Sequence, residues 1–254
     1  MSNSPLISGT LRSPNNSGAR KYKITRITPH YMAGLLSAKQ CCEIFLPTSR
    51  QASSNYCIGK DGEIWLCVDE ANRAWTSGSY DNDNRAVTIE CANYNDGSLP
   101  SATWNSLVKL CADICKRNGI TKCTYTGNTN GVLTMHKWFQ ATDCPGPWLS
   151  NQFDRLATET QKIIDGGTPT PTPTFGGTYR CTVSALNVRT SPSTNSQVVA
   201  QYHKGDTVVL DNWQTSNEGF IWGRYTGASS GQLRYVAVGR DTGKVEADDY
   251  LVKV

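Results

Sequence analysis

Apolar positions along this chain change spacing from one segment to the next, and each spacing predicts an element. Residues 22–28 (YKITRIT) read as a strand. AVTIEC at 86–91 alternates, which puts Val87, Ile89 and Cys91 on one strand face and Thr88 and Glu90 on the other. Residues 55–68 (NYCIGKDGEIWLCV) hold two β-prone runs around Lys60-Asp61-Gly62, and Asp-Gly between apolar runs predicts a hairpin. Elsewhere the period lengthens. Ser37-Ala38-Lys39-Gln40 has capping-box spacing, with Leu36 and Cys41 as a flanking staple, and opens a short helix that ends before Pro47. Trp104, Leu107, Val108, Cys111, Ile114 and Cys115 form a helical stripe that stops near Gly119. A last helix is expected from about Pro147 to Ile164, with Leu149, Phe153, Leu156, Ile163 and Ile164 facing inward. Strands and helices mixed in this way predict an α/β layer fold, a central mixed β-sheet flanked by helices.

The pattern breaks at Gly166-Gly167-Thr168-Pro169-Thr170-Pro171-Thr172-Pro173-Thr174-Phe175-Gly176-Gly177. Alternating Pro and Thr cannot sustain a regular backbone ladder and favours an extended spacer. At roughly 3.1 Å per residue, its Pro-Thr core would span about 20 Å. Beyond it, ALNVRTSPS, VVAQYHKGDTVVLDNWQ, FIWGRYT, LRYVAVGR and DYLVKV are short β-rich runs separated by Gly, Asn, Ser and Asp. They predict a small all-β barrel. The expected organisation is therefore a first unit over 1–165, a linker over 166–177 and a second unit over 178–254.

Composition narrows the function classes. The net charge is +4 over 254 residues. Residues 1–165 carry 17 basic and 14 acidic residues, and the remainder 8 and 7, so neither part has the clustered basic stripe of a nucleic-acid binder. No run approaches the roughly 20 apolar residues of a membrane span, so no membrane insertion is expected. The first thirty residues hold no continuous apolar segment, which predicts synthesis in the cytoplasm without a secretory signal. Of the ten cysteines, Cys41, Cys57, Cys91, Cys111 and Cys115 sit in apolar-patterned segments and are expected to pack as small buried hydrophobes.

The chain has three histidines. His30 closes a predicted strand, His136 follows Leu133-Thr134-Met135, and Cys144 lies eight residues later in Thr142-Asp143-Cys144-Pro145-Gly146. Two imidazoles and a thiolate make a three-ligand zinc set that leaves a fourth tetrahedral position open. By spacing alone, structural roles for these residues stay open. His203 has no ligand partner near it in sequence and is expected at the surface.

Several segments, in order, carry a resemblance. Ile27-Thr28-Pro29-His30-Tyr31-Met32-Ala33-Gly34 resembles the first zinc-ligand motif of the N-acetylmuramoyl-L-alanine amidase type 2 family. That family shares its fold with phage amidase lysozymes and animal peptidoglycan recognition proteins. Residues 53–62 resemble the family's central hairpin, and residues 84–93 the strand bearing its catalytic acid. Met135-His136-Lys137-Trp138 and residues 141–147 resemble its second and third ligand motifs. The resemblance covers about residues 22–165. It implies one zinc ion on His30, His136 and Cys144, with Glu90 carrying protons. It also implies hydrolysis of the amide between N-acetylmuramic acid and L-alanine of peptidoglycan. Where some members place a Lys two residues before the Cys ligand, this chain has Thr142. Where some place a Tyr in the hairpin, it has Ser54, and strand alternation makes Tyr56 the candidate replacement. Trp75 is a candidate for lining a sugar-peptide groove. In the second unit, residues 185–193 and His203-Lys204-Gly205-Asp206 resemble bacterial SH3-like domains, which are associated with cell-wall binding.

Together these features predict a wall-lysing enzyme of phage or prophage origin whose partner is the bacterial cell wall. A host autolysin, a non-catalytic peptidoglycan receptor and a cysteine peptidase built on Cys144 and His136 are the rival readings. No paired carboxylates stand out for a muramidase.

Overall fold

The computed structural model describes residues 2–167, 175–211, 213–241 and 249–254. The chain divides into two compact units, Met1–Thr172 and Pro173–Val254. Most of the Pro-Thr stretch predicted as a linker, residues 168–174, lies outside the described residues.

In the first unit the elements run β1 (Gly9–Thr10), β2 (Asn16–Ala19), β3 (Arg26–Tyr31), α1 (Ala38–Ile44), β4 (Tyr56–Ile58), β5 (Ile64–Leu66), β6 (Asn72–Ala74), α2 (Tyr80–Arg85), β7 (Ala86–Cys91), α3 (Ser101–Arg117), α4 (Gly146–Ser150) and α5 (Phe153–Ile164). Five strands form one sheet in the order β1-β5-β4-β7-β3, and β2 pairs with β6 apart from it. The sheet is mixed: β4 and β5 are the antiparallel hairpin, while β1 with β5, β4 with β7 and β7 with β3 are parallel.

The elements follow local chemistry. Ser37 and Gln40 cap α1 reciprocally, the Ser37 side chain taking the Gln40 N–H and the Gln40 side chain taking the Ser37 N–H. The hairpin closes through Gly62 at φ +84°, where an added Cβ would stand 2.8 Å from the Ala102 carbonyl oxygen. Two expectations need correction. The first strand begins at Arg26 and not at residue 22, and it runs through Pro29 to Tyr31, so His30 lies inside it. Pro29 is tolerated because β3 is the last strand of the sheet. The last helix is two helices, α4 and α5, broken at Asn151-Gln152.

One face of the sheet buries Ile27, Tyr56, Ile58, Leu66, Val87, Ile89 and Cys91 against Trp104, Leu107, Cys111 and Ile114 of α3 and Phe153 and Leu156 of α5. Each fully buried aliphatic side chain contributes roughly 1.5–3 kcal/mol. The opposite face is polar where the parallel strands meet. Thr28 shares a hydrogen bond with Thr134 at 2.8 Å, Asn82 donates to Thr28, and Thr88 with Asn55 exchanges backbone and side-chain bonds. These groups are buried and paired, so the face holds polar side chains without a desolvation penalty.

The second unit is all-β. A five-stranded antiparallel sheet orders β10 (Val198–Tyr202), β9 (Leu186–Arg189), β14 (Leu233–Arg240), β13 (Phe220–Thr226) and β12 (Gln214–Asn217). A three-stranded sheet orders β11 (Thr207–Leu210), β8 (Gly177–Cys181) and β15 (Leu251–Lys253). Tyr179, Leu186, Val188, Val208, Leu210, Val236 and Leu251 form its core. His203 is exposed, with Nδ1 3.9 Å from Asp206. Among the described residues, no helix is long and apolar enough to cross a membrane.

Candidate functional site

Three chain segments converge at the polar face of the first unit. His30 sits in β3, and β3 pairs in parallel with β7 so that His30 and Glu90 are register partners. Partners across a ladder point to the same face, so both side chains leave the core on one side of the sheet. On its outer edge β3 is met by residues 132–134: the Ile27 N–H donates to the Val132 carbonyl and the Thr134 N–H to the Ile27 carbonyl. That pairing delivers His136, at the head of a 3-10 turn over His136–Trp138, beside His30. The ring centroids are 4.8 Å apart. The Lys137 N–H donates to the Cys144 carbonyl and ties the third segment to the second. Gly146, two residues on, has φ +83°, and a Cβ there would stand 3.3 Å from the Tyr31 ring. Glycine thus lets the chain turn against Tyr31 straight after the cysteine.

His30, His136 and Cys144 each offer one ligand atom, and these atoms all lie within 4.8 Å of one another. No other group of three or more His, Cys, Asp or Glu among the described residues meets that standard. Cys144 Sγ is 3.2 Å from His30 Nδ1. Burial, and secondarily the neighbouring His136, holds the His30 imidazole well below its usual range, so it is a neutral lone-pair donor. Burial and then the Glu90 carboxylate push the Cys144 thiol up, against a backbone hydrogen bond with Tyr31. His30 Nε2 is buried with no hydrogen-bond partner among the described residues. A buried imidazole nitrogen without a partner is costly unless something outside the chain engages the ring.

The trio opens into a cleft of about 500 Å³ lined also by Glu90, Thr142, Trp75, Arg50, Arg73 and Gln140, among others. Burial pushes the Glu90 carboxyl up to about 8, while the Arg50 guanidinium pulls the other way. Val87, Ile89 and Cys91 are fully buried in the core, on the face opposite Glu90. The Thr142 hydroxyl accepts the Cys144 N–H at 3.2 Å and keeps its own proton to donate. Trp75 is partly exposed, and its indole N–H donates to Ser17 at 2.6 Å.

Tyr56 is a correction. It does not line the cleft. It is the register partner of Ile89, not of Glu90, and is fully buried on the core side. Its hydroxyl donates to Glu70 at 2.5 Å and accepts from the Ser4 N–H. Ser54 does not share its face, because β4 begins only at Tyr56; the Ser54 hydroxyl lies 3.4 Å from Thr88, on the Glu90 side of β7.

Sequence reasoning missed Arg50, Arg73 and Gln140. Gln140 follows His136 by one helical turn, a readable signal, and its Oε1 lies 3.2 Å from His136 Nε2. Arg73 stacks 4.9 Å over the Tyr80 ring, and its Nε is buried without a partner among the described residues. Neither arginine belongs to a local pattern that points at a cleft.

A family model described as N-acetylmuramoyl-L-alanine amidase matches residues 20–147, about half of the chain. N-acetylmuramoyl-L-alanine amidase CwlL of Bacillus licheniformis is 26% identical over 145 residues, 55% of this chain and 37% of its own length. The chain thus spans well under half of that relative. The solution structure of the PlyG catalytic domain is 17% identical at a TM-score of 0.51, covering 66% of this chain and 99% of that one, which is a likeness of fold. With the match over residues 20–147 enclosing the three segments that carry His30, His136 and Cys144 and also β7, the chain belongs to the N-acetylmuramoyl-L-alanine amidase family.

Proposed function

We propose that this chain is a zinc-dependent peptidoglycan amidase that cuts the amide between N-acetylmuramic acid and L-alanine, in the manner of a phage or prophage endolysin. The observation that carries the reading is the closeness of His30, His136 and Cys144 with Glu90 beside them in register. The donor set fits zinc: two imidazoles and one sulfur, a three-ligand set that leaves a fourth tetrahedral position open. When bound, zinc supplies Lewis acidity that makes water acidic and polarises a carbonyl.

The chain's own residues supply the rest. Glu90 takes the proton of the attacking water and returns it to the departing alanine nitrogen. Its raised pKa suits that exchange, and a cation on the trio would pull the value down as Arg50 does. Thr142 and Gln140 line the cleft at the trio and offer neutral hydrogen bonds to the carbonyl oxygen. Trp75 provides an apolar wall at the cleft for the substrate. The second unit is proposed to be an SH3-like module that holds the enzyme on the wall.

The 3.2 Å approach of Cys144 Sγ to His30 Nδ1 favours one rival, a cysteine peptidase. That chemistry needs a third group to orient the imidazole, and His30 Nε2 has no partner among the described residues. The pair is also held neutral, with His30 pushed down and Cys144 up. A non-catalytic receptor is disfavoured because the trio is complete and Glu90 faces it.

Digestion of purified cell walls tests the proposal. New L-alanine amino termini should appear, with no new reducing sugar ends, and activity should vanish with a chelator and return with zinc. Reducing ends, or full activity in metal-free protein, would overturn it.

A further inference from the structure

The first unit contains eight arginines, and six of them have partners within the fold. Arg12 pairs with Asp69, Arg26 and Arg85 with Asp81, Arg117 with Glu70 and Asp113, and Arg155 with Glu159. Arg20 donates to the Glu70 and Asp83 carbonyls and to the Asn55 side chain. Arg50 and Arg73 remain. Neither side chain makes a hydrogen bond or an ion pair among the described residues, and both line the cleft that holds His30, His136, Cys144 and Glu90.

Aromatic rings, not carboxylates, steady these two guanidinium groups. Arg73 Cζ lies 4.9 Å from the Tyr80 centroid, and Arg50 Cζ lies 5.9 Å from that of Phe45. A ring face attracts a cation without neutralising it and leaves the in-plane N–H donors free. One of those donors, Arg73 Nε, is buried without a partner. A buried donor in that state is costly until an acceptor meets it. Two acids also line the cleft, and neither pairs with the arginines. Asp83 feels Arg73 from a distance, but its oxygens accept the Ser77 N–H at 2.9 Å, the Ser77 hydroxyl at 2.6 Å and the Thr76 N–H at 3.2 Å. Glu90 feels Arg50 without an ion pair, and burial favours its uncharged form. The cleft thus presents two unneutralised guanidinium forks beside the proposed reaction centre.

A guanidinium fork matches a carboxylate in shape and charge and binds it through two parallel hydrogen bonds. On the amidase reading, on which this inference rests, the substrate brings such a group. The lactyl carboxyl is held in the amide to be cut, and the alanine carboxyl in the next one. The second stem residue is a glutamate linked through its γ-carboxyl, so its α-carboxyl is either free or capped as an amide. Its α-carbon stands one peptide unit, about 3.8 Å, beyond that of the alanine whose nitrogen departs. We propose that Arg50 and Arg73 form a carboxylate subsite that reads the free α-carboxylate of the second stem residue and discriminates against its amidated form. The amide has nearly the same shape, but it carries no charge and turns an NH₂ group toward donors that need an acceptor.

The test uses the full chain supplied with zinc and two soluble disaccharide-peptides that differ only in that group, α-carboxylate or α-carboxamide. The readout is kcat/KM for release of the L-alanyl peptide. Wild type should prefer the carboxylate by about 10–100-fold. The preference should shrink as salt rises, because Arg50 is exposed. In Arg73→Gln and in Arg50→Gln the ratio of the two rates should fall toward one, with the loss on the carboxylate substrate. A merely structural role would lower both rates together and keep the ratio. Equal wild-type rates, a preference for the amide, or an unchanged ratio in both variants would overturn the subsite and leave the amidase reading standing. Release of L-alanyl peptide from neither substrate would overturn the amidase reading and the subsite with it. The exposed Arg50 and the wild-type ratio decide the matter even if Arg73→Gln does not fold.

Discussion

Glu90 is the register partner of His30 across parallel strands β7 and β3, so a carboxylate and an imidazole leave the same sheet face one strand spacing apart. On the proposed mechanism that spacing makes Glu90 the proton carrier. Glu90→Gln keeps the shape and cannot accept a proton, so kcat should drop about 10²–10⁴-fold. Zinc content, measured by elemental analysis, should stay at one per chain. Near-normal turnover would move the base elsewhere, and lost zinc would make Glu90 a support for the metal.

The same residue gives a pH signature in chelator-treated protein. Burial holds its folded-state pKa near 8, against 4.5 for the ordinary carboxyl. The folded state therefore binds the extra proton. Its stabilising contribution is complete below about pH 4.5 and is lost as pH rises through about 8. The Tm of metal-free wild type, measured relative to metal-free Glu90→Gln, should decline between about pH 5 and pH 8.5. A difference that stays flat across that window would mean the carboxyl is solvated.

Tyr56 belongs to the scaffold. Its hydroxyl and Arg117 share Glu70, which is fully buried, with Arg117 Nη2 2.5 Å from the same Oε1. Tyr56→Phe removes one donor to a buried carboxylate and should cost about 1–3 kcal/mol in denaturant unfolding. Turnover per folded molecule should be unchanged. A large kcat loss in soluble, folded Tyr56→Phe would return this residue to the reaction.

The hairpin strands β4 and β5, strand β7, the capped α1 and the long α3 were legible because their side chains obey one period apiece. Val87, Ile89 and Cys91 went to the core, and Glu90 to the other face, as alternation required. Strand β3 was started too early, at residue 22, because its true start is set by pairing with β7, which begins only at Arg26 opposite Ala86. Tyr56 was misread because alternation was extended to Ser54, beyond the point where β4 starts. Arg50 and Arg73 could not be read at all. They reach the cleft from a 3-10 turn and from a short strand whose positions are set by tertiary packing. Burial of Cys41 and Cys57 followed from their apolar neighbours, whereas their packing in one buried cluster with Cys42 and Cys67 depends on how α1 docks on the sheet.

Gly146 links backbone geometry to Cys144, the third ligand of the proposed zinc site. An alanine there would sit at φ +83° with its Cβ 3.3 Å from Tyr31. A left-handed residue with a side chain costs about 1–2 kcal/mol, before any displacement of the Tyr31 ring. Gly146→Ala should lower Tm by a few degrees and weaken zinc retention in a chelator competition, because Cys144 lies two residues away. Unchanged zinc affinity would show that the Cys144 turn is fixed by the Lys137 and Thr142 hydrogen bonds alone.

Cys144 separates the two chemistries that its surroundings permit. As a zinc ligand, its sulfur must lose a proton that burial otherwise holds tightly, and only a cation beside His30 and His136 makes that favourable. As a peptidase nucleophile, it would need His30 charged, yet burial keeps that imidazole neutral. Cys144→Ala should therefore lose zinc together with activity. Cys144→Ser offers a harder, more weakly ligating oxygen in the same place and should bind zinc with much reduced affinity. A thiol-alkylating reagent gives the complementary reading: holo protein should react slowly at Cys144, and chelated protein faster, with the site identified by peptide mapping. Rapid alkylation of a fully active holo enzyme, or Cys144→Ala that retains one zinc per chain yet has no activity, would favour the nucleophile over the ligand.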